Sequence, residues 1–148
     1  VIARNKRART DYHLLEKVEG GLVLKGTEIK SIRRGRVSLE QAFGIVKDGE
    51  VYLMGMHIAP YEEGGHTNHD PLRSRKVLLH KRQIESIMKT VTQSGYTLVP
   101  TRLYLKKGIA KVELAIARGK RTFDKREDIK EREAQRQIDR TLAKHGRR

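Results

Sequence analysis

The sequence predicts a mainly β fold, a small closed or nearly closed barrel of five or six antiparallel strands with two helices. Three observations carry that expectation. Two short turns, Lys47-Asp48-Gly49-Glu50 and Lys106-Lys107-Gly108, each separate a pair of apolar runs. Val112, Leu114 and Ile116 alternate with Lys111, Glu113 and Ala115, the period of a half-buried strand. The chain has 148 residues, 36% apolar and 5% aromatic with no Trp, which suits one domain plus a tail and a core built on Val, Ile and Leu.

Val1 to Thr10 carries Arg4, Lys6, Arg7 and Arg9 with almost nothing to bury, so residues 1–10 read as an extended basic arm. A start at Val1 rather than Met points to a few missing residues. The barrel is expected over residues 11–117. Its first elements are short apolar runs at Tyr12 to Leu15 and Leu22 to Leu24, which the intervening Glu19, Gly20 and Gly21 would join as a strand pair. Thr27 can cap a short helix, TEIKSIRR, with Ile29 and Ile32 on one face, Lys30, Arg33 and Arg34 outward and Gly35 closing it.

Ala42 to Val46 and Val51 to Ile58 flank Asp48-Gly49, a pair that tolerates the positive backbone angles of a tight hairpin. Ala59 to Ser74 has two Pro, two Gly and no period, so it reads as a long loop. Ile84, Ile87, Met88 and Val91 fall at i, i+3, i+4 and i+7 and predict a helix from about 81 to 94, stopping near Gly95. Tyr96 to Leu105 and Ala110 to Ala117 form the second hairpin. Pro100 cannot donate to a ladder, so its strand should be bulged or at an edge there.

Residues 118–148 hold 12 basic and 6 acidic side chains and few large apolar ones, too little to fold alone. Asp128 to Lys144 lacks Gly and Pro and spaces Ala134, Ile138 and Leu142 as a helix would, so the segment is expected to become helical on a surface.

Charge narrows the partner. Lys plus Arg is 33 and Asp plus Glu 18, a net +15, well beyond what solubility needs, and it points to a polyanion, nucleic acid first. Basic clusters stand at Arg4–Arg9, Lys30–Arg36, Arg73–Lys76, Lys106–Lys111 and Arg118–Arg126. The absence of an aromatic RNA-recognition signature favours readout of shape and backbone over a base code. There is no Cys, which removes disulfides, thiolate zinc sites and Cys nucleophiles and makes the cytoplasm the expected compartment. The uncharged stretch Val51 to Tyr61 is too short to span a bilayer.

No Ser elbow or phosphate-cradling Gly loop is present, and Glu62 and Glu63, being adjacent, point apart. No enzyme active site is expected. His66 and His69 with Asp70 form the one metal-like group, yet they lack further ligands, and Asp70-Pro71 reads more simply as a turn.

Several segments, in order, resemble the SsrA-binding protein family, small protein B, the bacterial partner of transfer-messenger RNA. They are NKRARTDY (5–12), EGGLVLKGTEIKSIRRG (19–35), HDPLRSRKVLLH (69–80), GYTLVP (95–100) and GKRTFDKREDIKERE (119–133). The resemblance implies a six-stranded antiparallel OB-like barrel with two or three flanking helices and a basic C-terminal tail that is helical when bound. It implies a binding protein without cofactor, one that grips the tRNA-like domain of transfer-messenger RNA and, with elongation factor Tu, brings it to stalled ribosomes for trans-translation. The tail would occupy the decoding centre and empty mRNA channel, against small-subunit rRNA.

Carried over by motif, the RNA-binding positions would be Asn5, Arg7, Glu19, Gly20, Lys30, Arg33, Leu78 and Lys111. The ribosome-binding tail would be Gly119, Lys120, Arg121, Phe123, Asp124, Lys125, Arg126, Lys130 and Arg132, with Asp124 capping a helix and Phe123 stacking on a base. Glu19 makes sense beside RNA only as an acceptor for base amino groups or as an orienter of a cation. Without the resemblance, Leu78 would read as core and Glu19 as a surface charge. The rival readings are a structural rRNA-binding ribosomal protein and a metal-dependent nuclease using His66 and His69.

Overall fold

The computed structural model describes residues 1–93, 95–119 and 133–137. Strand β1 (Ala3–Arg4) and a single helical turn α1 (Ala8–Asp11) precede the long strand β2 (Tyr12–Leu22) and helix α2 (Gly26–Arg33). Then come β3 (Val37–Ser38), β4 (Phe43–Lys47), β5 (Glu50–Met54), β6 (His57–Ile58), a 3-10 segment (Glu62–Thr67) and β7 (Arg75–Leu78). Helix α3 (Lys81–Val91) and the long hairpin β8 (Tyr96–Lys106) and β9 (Ile109–Gly119) complete the fold.

All pairings are antiparallel: the main sheet runs β1-β8-β4-β5-β7-β2-β9, the β8–β9 hairpin returns the ladder to β8, and β3 pairs with β6 in a sheet of two. The result is mainly β and OB-like, as expected. Inside lie Val51, Leu53, Val77, Leu98, Leu103, Val112 and Leu114, all essentially unexposed, so the core is aliphatic. Helix α3 adds Ile84 and Ile87 to it, while Met88 of the same stripe stays at the rim. Helix α2 adds Ile32.

Both hairpin turns have the expected geometry. Asp48 and Gly49 take φ of 51° and 73°, and Lys107 and Gly108 take 53° and 78°, the consecutive left-handed pair of a two-residue turn. Pro100 sits at a bulge. It pairs with Leu114 and Arg102 pairs with Glu113, so Thr101 is the extra residue. Its carbonyl accepts the N–H of Asn5 at 2.8 Å, and just beyond it β1 pairs with Arg102 and Leu103. The N-terminal segment is thereby laced to the barrel, and Ala8 is buried.

Two strand assignments are corrected. Tyr12–Leu15 and Leu22–Leu24 are not partners; one strand, β2, runs through Glu19-Gly20-Gly21 without turning. The glycines admit a neighbour. A Cβ on Gly20 would lie 2.5 Å from Val77 Cγ1 and 3.1 Å from the Leu78 carbonyl, so β7 closes on β2 only because that Cβ is missing. The strand β7 itself, four residues beside the long loop, takes the place of the supposed partner.

The loop over 59–74 contains the 3-10 segment and is pinned by Asn68, whose side chain accepts from the Tyr61 N–H at 2.9 Å and donates to the Tyr61 carbonyl at 2.6 Å. Among the described residues no helix is long and apolar enough to cross a membrane.

Candidate nucleic-acid interface

Adjacent strands bring four sequence-distant residues into one row on the outside of the barrel. Leu78 of β7 pairs with Gly21 of β2, Gly21 with Lys111 of β9, and Lys111 with Tyr104 of β8. Their neighbours Val77, Gly20, Val112 and Leu103 are buried, so the row faces outward by the alternation of a strand. Leu78 is 55% exposed, which settles the core reading against it. The Lys111 ammonium lies over Gly21, where a Cβ would be 3.7 Å from Nζ.

Glu19 stands two residues from Gly21 on the same face. Its Oε2 accepts a hydrogen bond from the Tyr104 hydroxyl, and Lys106 Nζ is 3.6 Å from its Oε1. The phenol's hydrogen bond, more than the cations nearby, holds the Glu19 carboxyl below the usual range against the opposing effect of desolvation. Partial burial first, and then the bond to Glu19, push the Tyr104 phenol up to about 12. The carboxylate is therefore ionised and aimed, with Tyr104, Lys106 and Lys111 offsetting its charge. Gly20 faces the interior and acts here by letting β7, hence Leu78, come close.

The other expected positions are elsewhere on the surface. Asn5 is a strut: its Nδ2 donates to the Pro100 carbonyl at 2.9 Å and its Oδ1 accepts from the Arg7 N–H at 3.2 Å. Arg7 is exposed and 3.4 Å from Asp11. Lys30 and Arg33 project from α2, with Lys30 5.3 Å from the centre of the Tyr61 ring and Arg34 at 4.7 Å. Gly119 ends β9 opposite Tyr12. Lys120, Arg121, Phe123, Asp124, Lys125, Arg126, Lys130 and Arg132 lie outside the described residues.

Helix α2 is held by a buried charge cluster. Glu28 and Arg75 are both fully buried, and Arg75 Nε donates to Glu28 Oε2 at 2.6 Å. Arg73 Nη2 donates to Oε1 at 2.5 Å, and the Lys25 N–H adds a bond at 2.8 Å that caps the helix. Burial alone would raise the Glu28 carboxyl, yet these donors hold it below its usual range. Arg75 also donates to the carbonyls of Met56 at 2.5 Å and Pro71 at 3.1 Å. The basic run Arg73–Lys76 therefore loses Arg75 as a phosphate ligand; it is a structural charge.

The metal reading fails at His69. That residue is 4% exposed; its Nε2 donates to the Ile58 carbonyl at 3.0 Å and its Nδ1 accepts from the Thr27 hydroxyl at 2.8 Å. Thr27 is thus not the helix cap, which is Lys25. Both ring nitrogens are taken, and no metal-ligating cluster exists among the described residues. Sequence reasoning missed Tyr104 and Arg102. The hairpin register around Lys107-Gly108 would have set both on the face of Lys111 and Glu113.

Fold and face together define a basic OB-like barrel protein suited to a polyanionic partner. A family model described as SmpB protein matches residues 2–144. The SsrA-binding protein of Geobacillus thermodenitrificans is 59% identical over 142 residues, spanning 96% of this chain and 92% of that protein. That of Enterococcus faecalis is 53% identical over the same shares. A solved structure described as "tmRNA-SmpB: a journey to the center of the bacterial ribosome" superposes with a TM-score of 0.69 at 47% identity, covering 86% of this chain and 93% of that one. This chain belongs to the SmpB protein family.

Proposed function

We propose that this protein binds the tRNA-like domain of transfer-messenger RNA and delivers it to stalled ribosomes for trans-translation, as a binding protein and not a catalyst. The observation that carries the proposal is the outward row of Leu78, Lys111 and Tyr104 with Glu19 beside it, formed from four strands in a chain of this family. The relatives are named for binding SsrA, and the solved neighbour is described with tmRNA and the ribosome.

Each residue has a part consistent with its setting. Lys111, Arg7, Lys30 and Arg33 meet phosphates, Glu19 accepts from base amino groups, and Leu78 lies against an apolar ribose or base face. Asn5 holds the N-terminal segment in place. The tail beyond Gly119 then occupies the decoding centre and the mRNA channel against small-subunit rRNA, ordering on contact, so that an occupied channel excludes it. Elongation factor Tu accompanies the loaded RNA. Such work is done in the cytoplasm, where ribosomes translate.

Purifying the protein from cells and sequencing the RNA that comes with it tests the reading. One abundant species capped by a tRNA-like end is expected; a broad sample of rRNA fragments would contradict it.

A further inference from the structure

The outer face does not end at Lys111. One pair along, Glu19 opposes Glu113, Glu113 opposes Arg102, and Arg102 opposes Arg4 of β1. The N-terminal segment folds over this part of the barrel, and between them lies a cavity of about 460 Å³. Arg4, Lys6, Arg9, Lys17 and Arg102 line it, and Glu113 is the one acidic lining residue among those described.

Glu113 is fully engaged. Its Oε1 accepts from Thr101 Oγ1 at 2.7 Å and is 3.9 Å from Lys17 Nζ, while its Oε2 accepts from Arg102 Nε at 3.0 Å and lies 3.0 Å from Arg102 Nη2 in an ion pair. Burial would raise this carboxyl, but the bonds from Thr101 and Arg102 keep it below its usual range. The Arg102 guanidinium is also stacked 5.0 Å from the centre of the Tyr104 ring. Held at one edge by a carboxylate and on one face by a ring, it keeps Nη1 for an incoming acceptor in a fixed orientation.

We infer that this groove is a second phosphate-binding site, taking the sugar–phosphate backbone of the same RNA that meets Lys111. The inference rests on the RNA-binding reading above. Five cations around one carboxylate is a composition for polyanions, and the strands explain its continuity with the first row. From Lys111 on β9 to Arg4 on β1 is two strand spacings sideways and one pair step along, about 12 Å. A backbone leaving Lys111 thus passes Arg102 before reaching Arg4. Glu113 acts as an internal anion that orients Arg102 and Lys17 and competes with phosphate for them.

The competition supplies a test with opposite signs. Full-length protein is titrated with transfer-messenger RNA by fluorescence anisotropy at several KCl concentrations, beside the variants Arg102→Gln, Lys17→Gln and Glu113→Gln. Each cation removed should flatten the slope of log affinity against log salt by about one unit. Glu113→Gln, which frees both partners, should steepen it and tighten binding. Melting temperatures of the three variants separate lost contacts from lost folding. Unchanged slopes in Arg102→Gln and Lys17→Gln, or looser binding by a folded Glu113→Gln, would overturn the groove while leaving the main reading intact. Failure of the wild type to prefer this RNA to bulk tRNA would instead remove the main reading itself.

Discussion

Tyr104 and Glu19 belong to strands that are not paired, yet the Tyr104 hydroxyl donates a hydrogen bond to the Glu19 carboxylate across the intervening β9. The contact fixes which way an exposed acid points on an otherwise cationic face. Its removal should be visible in the titration of Glu19. In Tyr104→Phe, the Glu19 carboxyl should rise toward the ordinary glutamate value, read by carboxyl NMR. In the wild type, the contact persists while Glu19 is ionised and Tyr104 protonated. The Glu19 pKa is lowered and the Tyr104 pKa raised, so this contribution is whole between about pH 4.3 and about pH 10, the unfolded values; it is lost as pH falls through the folded Glu19 value and fades as pH climbs through about 12. A Glu19 titration indifferent to the phenol would refute the link.

The parts legible in the sequence were those decided locally. Asp48-Gly49 and Lys107-Gly108 specify their turns by backbone angle, the stripe Ile84, Ile87 and Val91 specifies α3, and Pro100 specifies a bulge. Gly20 misled because a glycine at a turn and a glycine under a crossing strand look alike in one dimension; only the approach of Val77 separates them. Arg75 and His69 misled for a related reason. Their partners, Glu28 and Thr27, are more than 40 positions away, so nothing in the basic run or the histidine pair marks them as buried. The site residues Leu78 and Lys111 came from family resemblance, and the register later set them in one row.

The Glu28–Arg75 pair should be costly to break from one side. Arg75→Met leaves Glu28 buried with part of its compensation gone, and about 3–5 kcal/mol of stability should be lost in chemical denaturation. The Glu28 carboxyl is depressed, so the pair's contribution is present above about pH 4.3 and is lost as pH falls through the folded value. A loss under about 1 kcal/mol for Arg75→Met would show that the cluster is incidental.

Gly20→Ala puts a methyl group where Val77, Leu79 and the Leu78 carbonyl already stand. Overpacking of this kind should cost about 1–3 kcal/mol and push β7 outward. Thermal melts measure the first effect and amide exchange of Leu78 the second. Gly26→Ala, where a Cβ would meet nothing within 4 Å, serves as the control. Equal melts for the two variants would contradict the close approach.

Deleting residues 118–148 should separate two activities. Affinity for transfer-messenger RNA should stay within a few-fold of the full chain, because the outward row is kept, while peptide tagging on stalled ribosomes in a reconstituted system should vanish. Affinity falling by orders of magnitude would assign RNA binding to the tail.

The most direct measurement is competition: labelled transfer-messenger RNA bound to the full chain, displaced by unlabelled bulk tRNA, with Lys111→Ala alongside. The proposed role requires that tRNA displace it only at large excess and that Lys111→Ala weaken binding and reduce the salt slope by about one unit. Displacement by equimolar tRNA, with Lys111→Ala indistinguishable from wild type, would contradict it.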